Sequence, residues 1–173
     1  MTYEPETYWP DRYARQGPTY VARGGRQAAW EAEKAWVEPY FEHLPTAGAV
    51  LDFGCGPGRF RAALEGRGFS YHGHDLIPGL GDVEEIEPDT FDAVVAVMVL
   101  QHIVDDSTYA DVLRTLYWSL RDGGKLLVID HNPIARPDEH MRPRGPGPIT
   151  MKPWRGRYVE PADDRHWCGV FAR

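Results

Sequence analysis

The chain has 173 residues, a net charge of −7 and two cysteines, which suits one domain with a single core and excludes a disulfide framework. No apolar stretch reaches the ~18 residues that cross a bilayer, and residues 1–6 are acidic without the apolar run of a secretion signal. The negative charge argues against nonspecific nucleic-acid binding, so a cytoplasmic protein with neither membrane nor nucleic-acid partners is expected.

Residues 1–26 are rich in tyrosine, proline and glycine and show neither a helical nor a strand period. A helix is predicted over 27–44, with Ala28, Ala29, Ala32, Ala35, Trp36, Tyr40 and Leu44 on its apolar side and Pro39 ending its regular part. Residues 49–53 are a short apolar run of the kind that fills a parallel sheet. Gly54, Gly56 and Gly58 follow in strict alternation, a turn that tolerates positive φ and brings bare backbone to a ligand. Pro57 suits a helix start, and the helix over 59–67 stops at Gly68.

A second strand over 71–76 carries Asp75 at its end, 23 positions after Asp52. In nucleotide-binding doubly wound folds an acid at this point accepts hydrogen bonds from a ribose diol. Only 15 residues separate Asp75 from Phe91, room for a turn and a stub of strand. Val94 to Val97 lack polar alternation and so read as a strand buried on both faces. Ser107 or Asp106 caps a helix reaching Leu120, with Val112, Leu113, Leu116, Tyr117 and Leu120 facing inward. Gly123 is placed to cap its C-terminus in the left-handed conformation, and a strand follows to Asp130.

Residues 131–157 hold six basic residues against two acids, a local charge of +4 that leaves −11 for the remainder. Their prolines forbid a long helix, which makes an irregular flap whose charge suits an anionic small molecule or balances its neighbours. Residues 158–160 and 167–171 bracket a Pro161–Asp164 turn as an antiparallel hairpin.

Four motifs in order over 50–130 make the chain similar to the class I S-adenosylmethionine-dependent methyltransferases. They are the D-F-G-C-G-P-G loop, the acid Asp75, the F-D-x-V-V and V-L-Q-H-I run, and the L-R-D-G-G turn with its strand. The resemblance implies an α/β fold: a Rossmann-like, doubly wound, mostly parallel sheet with a C-terminal antiparallel hairpin. This version is shortened between the second and fourth strands and after the fifth. It implies one methyltransferase domain over 1–173, with 1–26 as a lid and 131–157 as the flap. It also implies S-adenosylmethionine as cofactor, held by Asp52, Gly54, Cys55, Gly56, Gly58, Asp75 and Leu76. Val97 and Met98 would line its methionine side, and Asp82 would reach the adenine amine if 81–83 is the adenine-side motif.

Methyl transfer from a sulfonium is mainly a positioning task and needs no metal, so none is expected. A base is useful only when the acceptor must lose a proton. His131 and His102, each just past a strand end, are the candidates. Tyr13, Tyr20 and Arg23 come from the lid segment, where Arg23 could pair with the methionine carboxylate. The expected reaction moves a methyl group to an oxygen or nitrogen of a small molecule. The alternative is a cofactor-binding protein without that chemistry, either a degenerate paralogue or a subunit completed by a partner chain.

Overall fold

The computed structural model describes residues 3–16, 27–133, 140–149, 153–161 and 164–173. Six strands form one sheet: β1 Gly48–Phe53, β2 Phe69–His74, β3 Phe91–Val97, β4 Leu120–His131, β5 Arg155–Pro161 and β6 His166–Ala172. Their order is β2-β1-β3-β4-β6-β5. The first four run parallel, while β6 is antiparallel to both β4 and β5. Strand order reverses between β2 and β3, on either side of β1, the topological position at which open α/β sheets bind ligands.

Alternating side chains divide the core by sheet face. Val50, Ala93, Val95, Val97, Leu127 and Ile129 pack with Val37, Phe41 and Leu64 on one side. Leu51, Val94, Ala96, Leu126 and Val128 pack with Leu113, Leu116 and Trp167 on the other. The first face is covered by α2 Gln27–Val37, a 3-10 turn over Glu38–His43, and α3 Arg61–Gly66; the second by α4 Asp106–Ser119. Both faces being dry explains the uninterrupted apolar runs of β3 and β4.

Four local expectations are corrected. Residues 5–16, which show no helical period, form a helix, α1 Pro5–Gln16, with Pro10 inside it. Of the expected apolar side of the second helical segment, Leu44 is buried and Trp36 and Tyr40 pack against the core, but Ala32 and Ala35 are exposed, the fully buried residues are Val37 and Phe41, and the side chains of Ala28 and Ala29 lie outside the described residues. The cap of α4 is Asp105, one residue before the expected pair. Its carboxylate accepts from Thr108 N at 2.8 Å and from Ser107 Oγ, and these bonds hold its pKa down at about 2. Gly123 does take a positive φ of 77°, but within the opening residues of β4, because α4 already ends at Ser119 with Leu120 extended. As expected, Pro39 closes the regular part of α2, and no helix fills 76–90. Among the described residues between His131 and Arg155 there is no helix either.

Candidate active site

The glycine turn is built by the end of β1 meeting the end of β2. Gly54 N and Cys55 N both donate to His74 O, at 2.8 and 3.1 Å. Gly54, Gly56 and Gly58 all have positive φ, at 72°, 52° and 76°. Their freedom serves different ends. A Cβ on Gly54 would sit 2.3 Å from Val99 Cγ2, so that glycine lets β1 and the segment after β3 close on each other. A Cβ on Gly56 would meet nothing within 4 Å, so its bare face looks onto open space.

Asp75 stands at the lip of this turn. Its Oδ2 accepts from Gly56 N at 2.8 Å and its Oδ1 from Ile77 N at 2.9 Å. Each carboxylate oxygen has two lone pairs, so each retains capacity for a further donor. Asp52 lies beneath, 2% exposed, and accepts from the Tyr71 hydroxyl at 2.8 Å. Burial raises its pKa to about 6, against the opposing pull of the Tyr71 bond and of Arg59. Burial, followed by the Asp52 charge, pushes the Cys55 thiol up to about 12.

Above the turn is a cavity of about 520 Å³, within the usual range for small-molecule sites. One wall is Phe53 to Pro57 with His74, Asp75, Leu76, Ile77 and Leu80. Val97, Met98 and Val99 form its back. Met98 takes a φ of 58°, a left-handed conformation uncommon for a side-chain-bearing residue, and its N–H donates to Ile129 O at 2.7 Å. Strained backbone of this sort concentrates at ligand sites.

Another part of the lining comes from the N-terminal segment: Tyr3, Glu4, Glu6, Trp9 and Tyr13. Hydrogen bonds and ring contacts fix these rings. Trp9 Nε1 donates to Tyr3 Oη at 2.9 Å, and Tyr3 Oη donates to His102 O at 3.1 Å. Trp9 meets the His102 ring edge-on at 4.7 Å, and Tyr8 stacks on His140 at 5.1 Å. Arg12 lies over both Tyr8 and Trp9. The helix is thus held by tertiary aromatic contacts, which explains its faint sequence signal.

His102 lines the cavity, but both its nitrogens are engaged by the protein. Nδ1 faces the carbonyl of His140 at 2.9 Å and must carry the proton, since a carbonyl only accepts. Nε2 faces the Gln101 amide nitrogen at 3.4 Å. Gln101 is 2% exposed, and its Oε1 accepts from His131 N at 3.0 Å and His131 Nδ1 at 2.7 Å. His131 therefore belongs to a His131–Gln101–His102 bridge, with its ring 4.6 Å from that of His166 and off the cavity wall.

The structure brings Gly54, Cys55, Gly56, Asp75, Leu76, Val97, Met98 and His102 to one cavity. Asp52 and Gly58 stand behind its wall. Asp82 is turned away: its Oδ1 accepts from Gly73 N at 2.7 Å and its Oδ2 lies 3.5 Å from Arg61, which fastens the 81–83 segment to the edge of β2. Tyr20 and Arg23 lie outside the described residues. Arg142 and Arg144 of the basic segment bind Asp106, and Arg144 also binds the carbonyls of Ile103 and Val104. Both thus face the start of α4. Trp9 and His74 escaped the sequence reading, since α1 lacks an apolar period and His74 read as a strand residue, whereas Tyr13 belongs to the expected lid segment and does line the cavity.

A family model described as a methyltransferase domain matches residues 21–161. Curated protein sequences give no significant match. Several solved structures share the fold. A Pyrococcus horikoshii protein is 18% identical over 93% of this chain and 98% of its own, with a TM-score of 0.73. The Burkholderia thailandensis 1,6-didemethyltoxoflavin N1-methyltransferase, solved with 1,6-didemethyltoxoflavin and S-adenosylhomocysteine, is 18% identical over 100% of this chain and 91% of its own, at 0.65. The Bradyrhizobium japonicum N-methyltransferase NodS, solved with S-adenosylhomocysteine, is 13% identical over 98% and 99%, at 0.59.

Proposed function

This chain belongs to the methyltransferase domain family and uses S-adenosylmethionine, and we propose that it methylates an oxygen or nitrogen of a small-molecule acceptor inside the cavity. The observation that carries this reading is that two unlike sets of residues line one cavity of about 520 Å³. The backbone turn with Asp75 suits a ribose-bearing cofactor, and the aromatic face of α1 suits an acceptor.

The residues present fit the cofactor. The open side of Gly56 leaves room for a ligand against bare backbone, and the remaining lone pairs of Asp75 suit a ribose diol. The wall formed by Val97, Met98 and Val99 suits the methionine part. When bound, S-adenosylmethionine supplies a methyl carbon already activated by its sulfonium. The task left to the chain is alignment and exclusion of water. In this reading α1 is the lid, and Tyr3, Trp9 and Tyr13 are the groups that exclude water. The neighbours that carry small-molecule names, the toxoflavin enzyme among them, support a small acceptor for this chain too. Two free buried cysteines fit a reducing, cytoplasmic setting.

Methyl-labelled S-adenosylmethionine added to a cell extract with the purified protein tests the reading. Label is expected in a small-molecule product that chromatography separates from S-adenosylmethionine and its breakdown products, and that is missing when the protein is left out. Label confined to protein or nucleic acid, or no transfer at all, contradicts it.

A further inference from the structure

The glycine-turn side of the cavity holds an acceptor nitrogen to which no role has been given. His74 ends β2 and lines the cavity together with Phe53, its register partner on β1, and the two rings stack at 5.5 Å and 11°. Its Nδ1 lies 2.9 Å from the carbonyl of Val83 and carries the proton, since a carbonyl only accepts. In the neutral ring Nε2 is then an acceptor, and it has no partner among the described residues. The two ring nitrogens diverge and Val83 is not part of the lining, so Nε2 is the nitrogen left to a ligand.

The segment after β2 holds this ring in place. Asp82 Oδ1 accepts from Gly73 N at 2.7 Å, and Gly73 O accepts from Asp82 N and Val83 N at 2.8 and 3.0 Å. Gly81 permits the close approach: its φ is 78°, and a Cβ there would sit 2.5 Å from Gly73 O. The Val83 carbonyl is thereby fixed against the edge of β2, and it fixes the imidazole in turn. Asp82 is not in the lining, and it meets the cavity only through Val83 and His74.

The surroundings of His74 suit a flat base. Leu76, Ile77 and Leu80 line the same side of the cavity, and Leu76 is 47% exposed, an apolar surface that the core does not cover. With the ribose on Asp75 and the methionine part along Val97 to Val99, the base falls on this side of Asp75. We propose that His74 reads the base of the cofactor, its Nε2 accepting from the exocyclic amine of adenine, and that Asp82 positions His74 through Val83 without touching the base. The proposal rests on the cavity being the S-adenosylmethionine site. A 6-oxo purine presents an oxygen lone pair where adenine presents an N–H, so the nitrogen that accepts from one repels the other.

The test compares S-adenosylhomocysteine with S-inosylhomocysteine by calorimetric titration of the full chain at pH 8. The parent should bind the adenosyl compound at least ten times more tightly. Two variants separate reading of the base from bracing of the loop. His74→Asn can still donate to Val83 O and His74→Phe can still stack on Phe53, but neither has an acceptor at the place of Nε2. Each should lower the preference for the adenosyl compound at least threefold, whereas a loss of bracing alone weakens both ligands alike. Asp82→Asn, which can still accept from Gly73 N, should keep the preference within threefold of the parent. No preference in the parent, a preference kept within threefold in either His74 variant, or a larger fall in Asp82→Asn overturns the proposal. Failure of both compounds to bind the parent is a different result: it overturns the cofactor reading, and this proposal with it.

Discussion

At the scale of single residues, two glycines of one turn do different work, and substitution separates them. Gly54→Ala places a methyl group against Val99, whereas Gly56→Ala points one into the cavity. Both incur the left-handed penalty of about 1–2 kcal/mol. Urea unfolding should show a larger loss at Gly54, and calorimetric titration a larger loss of S-adenosylhomocysteine affinity, per unit of stability lost, at Gly56. Equal behaviour of the pair would mean that the turn does not face the ligand. Asp52 supplies a pH signature. Its carboxyl titrates near 3.8 unfolded and at about 6 folded, so between those values the folded protein holds the extra proton. Its contribution to stability is full below pH 4 and falls by about 3 kcal/mol as pH rises through 6. Asp52→Asn, which can still accept from Tyr71, should remove that fall from unfolding curves measured between pH 4 and 7; an identical pH slope in the variant refutes the buried-acid account. The glycine turn and the place of Asp75 beside it were legible because both follow from local spacing. The hydrogen-bond partners of His102 and His131, His140 and Gln101, were not legible, because they are set by how distant segments meet, which spacing does not encode.

Among the elements, α1 is where sequence and structure part company. Its apolar residues are few, Pro10 removes one backbone donor, and none of the described residues 3–16 belongs to either core cluster. Periodicity detects helices that bury a stripe in a core; this one docks rings on His102 and His140 instead. Deleting residues 1–16 should therefore leave both core clusters intact and the thermal transition within a few degrees of the parent. Turnover should fall about a hundredfold or more, since misalignment alone can cost that much. Hydrogen exchange should quicken at His102 and Ile103, where Tyr3 is lost. A truncated protein with full turnover, or one that no longer folds, contradicts a lid role. The shortened connection over 76–90 was legible by counting residues. Its use was not: Asp82 is spent on fastening 81–83 to the otherwise open edge of β2, a response to a missing neighbouring strand that shows only in three dimensions.

For the molecule as a whole, the sheet order follows from the sequence with little ambiguity. Strands buried on both faces must be covered by helices, and right-handed crossovers then leave few arrangements. The basic segment shows the opposite case, in which a composition visible in sequence has another use. Arg142 and Arg144 lock the 140–144 stretch onto 101–106 and so brace the segment that carries His102. Among its described residues, the positive charges of Arg142 and Arg144 face Asp106 and backbone carbonyls. The central proposal is that the glycine turn and Asp75 bind the cofactor in the cavity beside α1. Isothermal titration of S-adenosylhomocysteine, in buffer containing a metal chelator, tests this with the parent chain and Asp75→Ala side by side. The account predicts one-to-one binding in the parent and a loss of about 1.5–3 kcal/mol in the variant, the worth of hydrogen bonds to a charged group. No heat with the parent, or equal affinity in the two proteins, would contradict it.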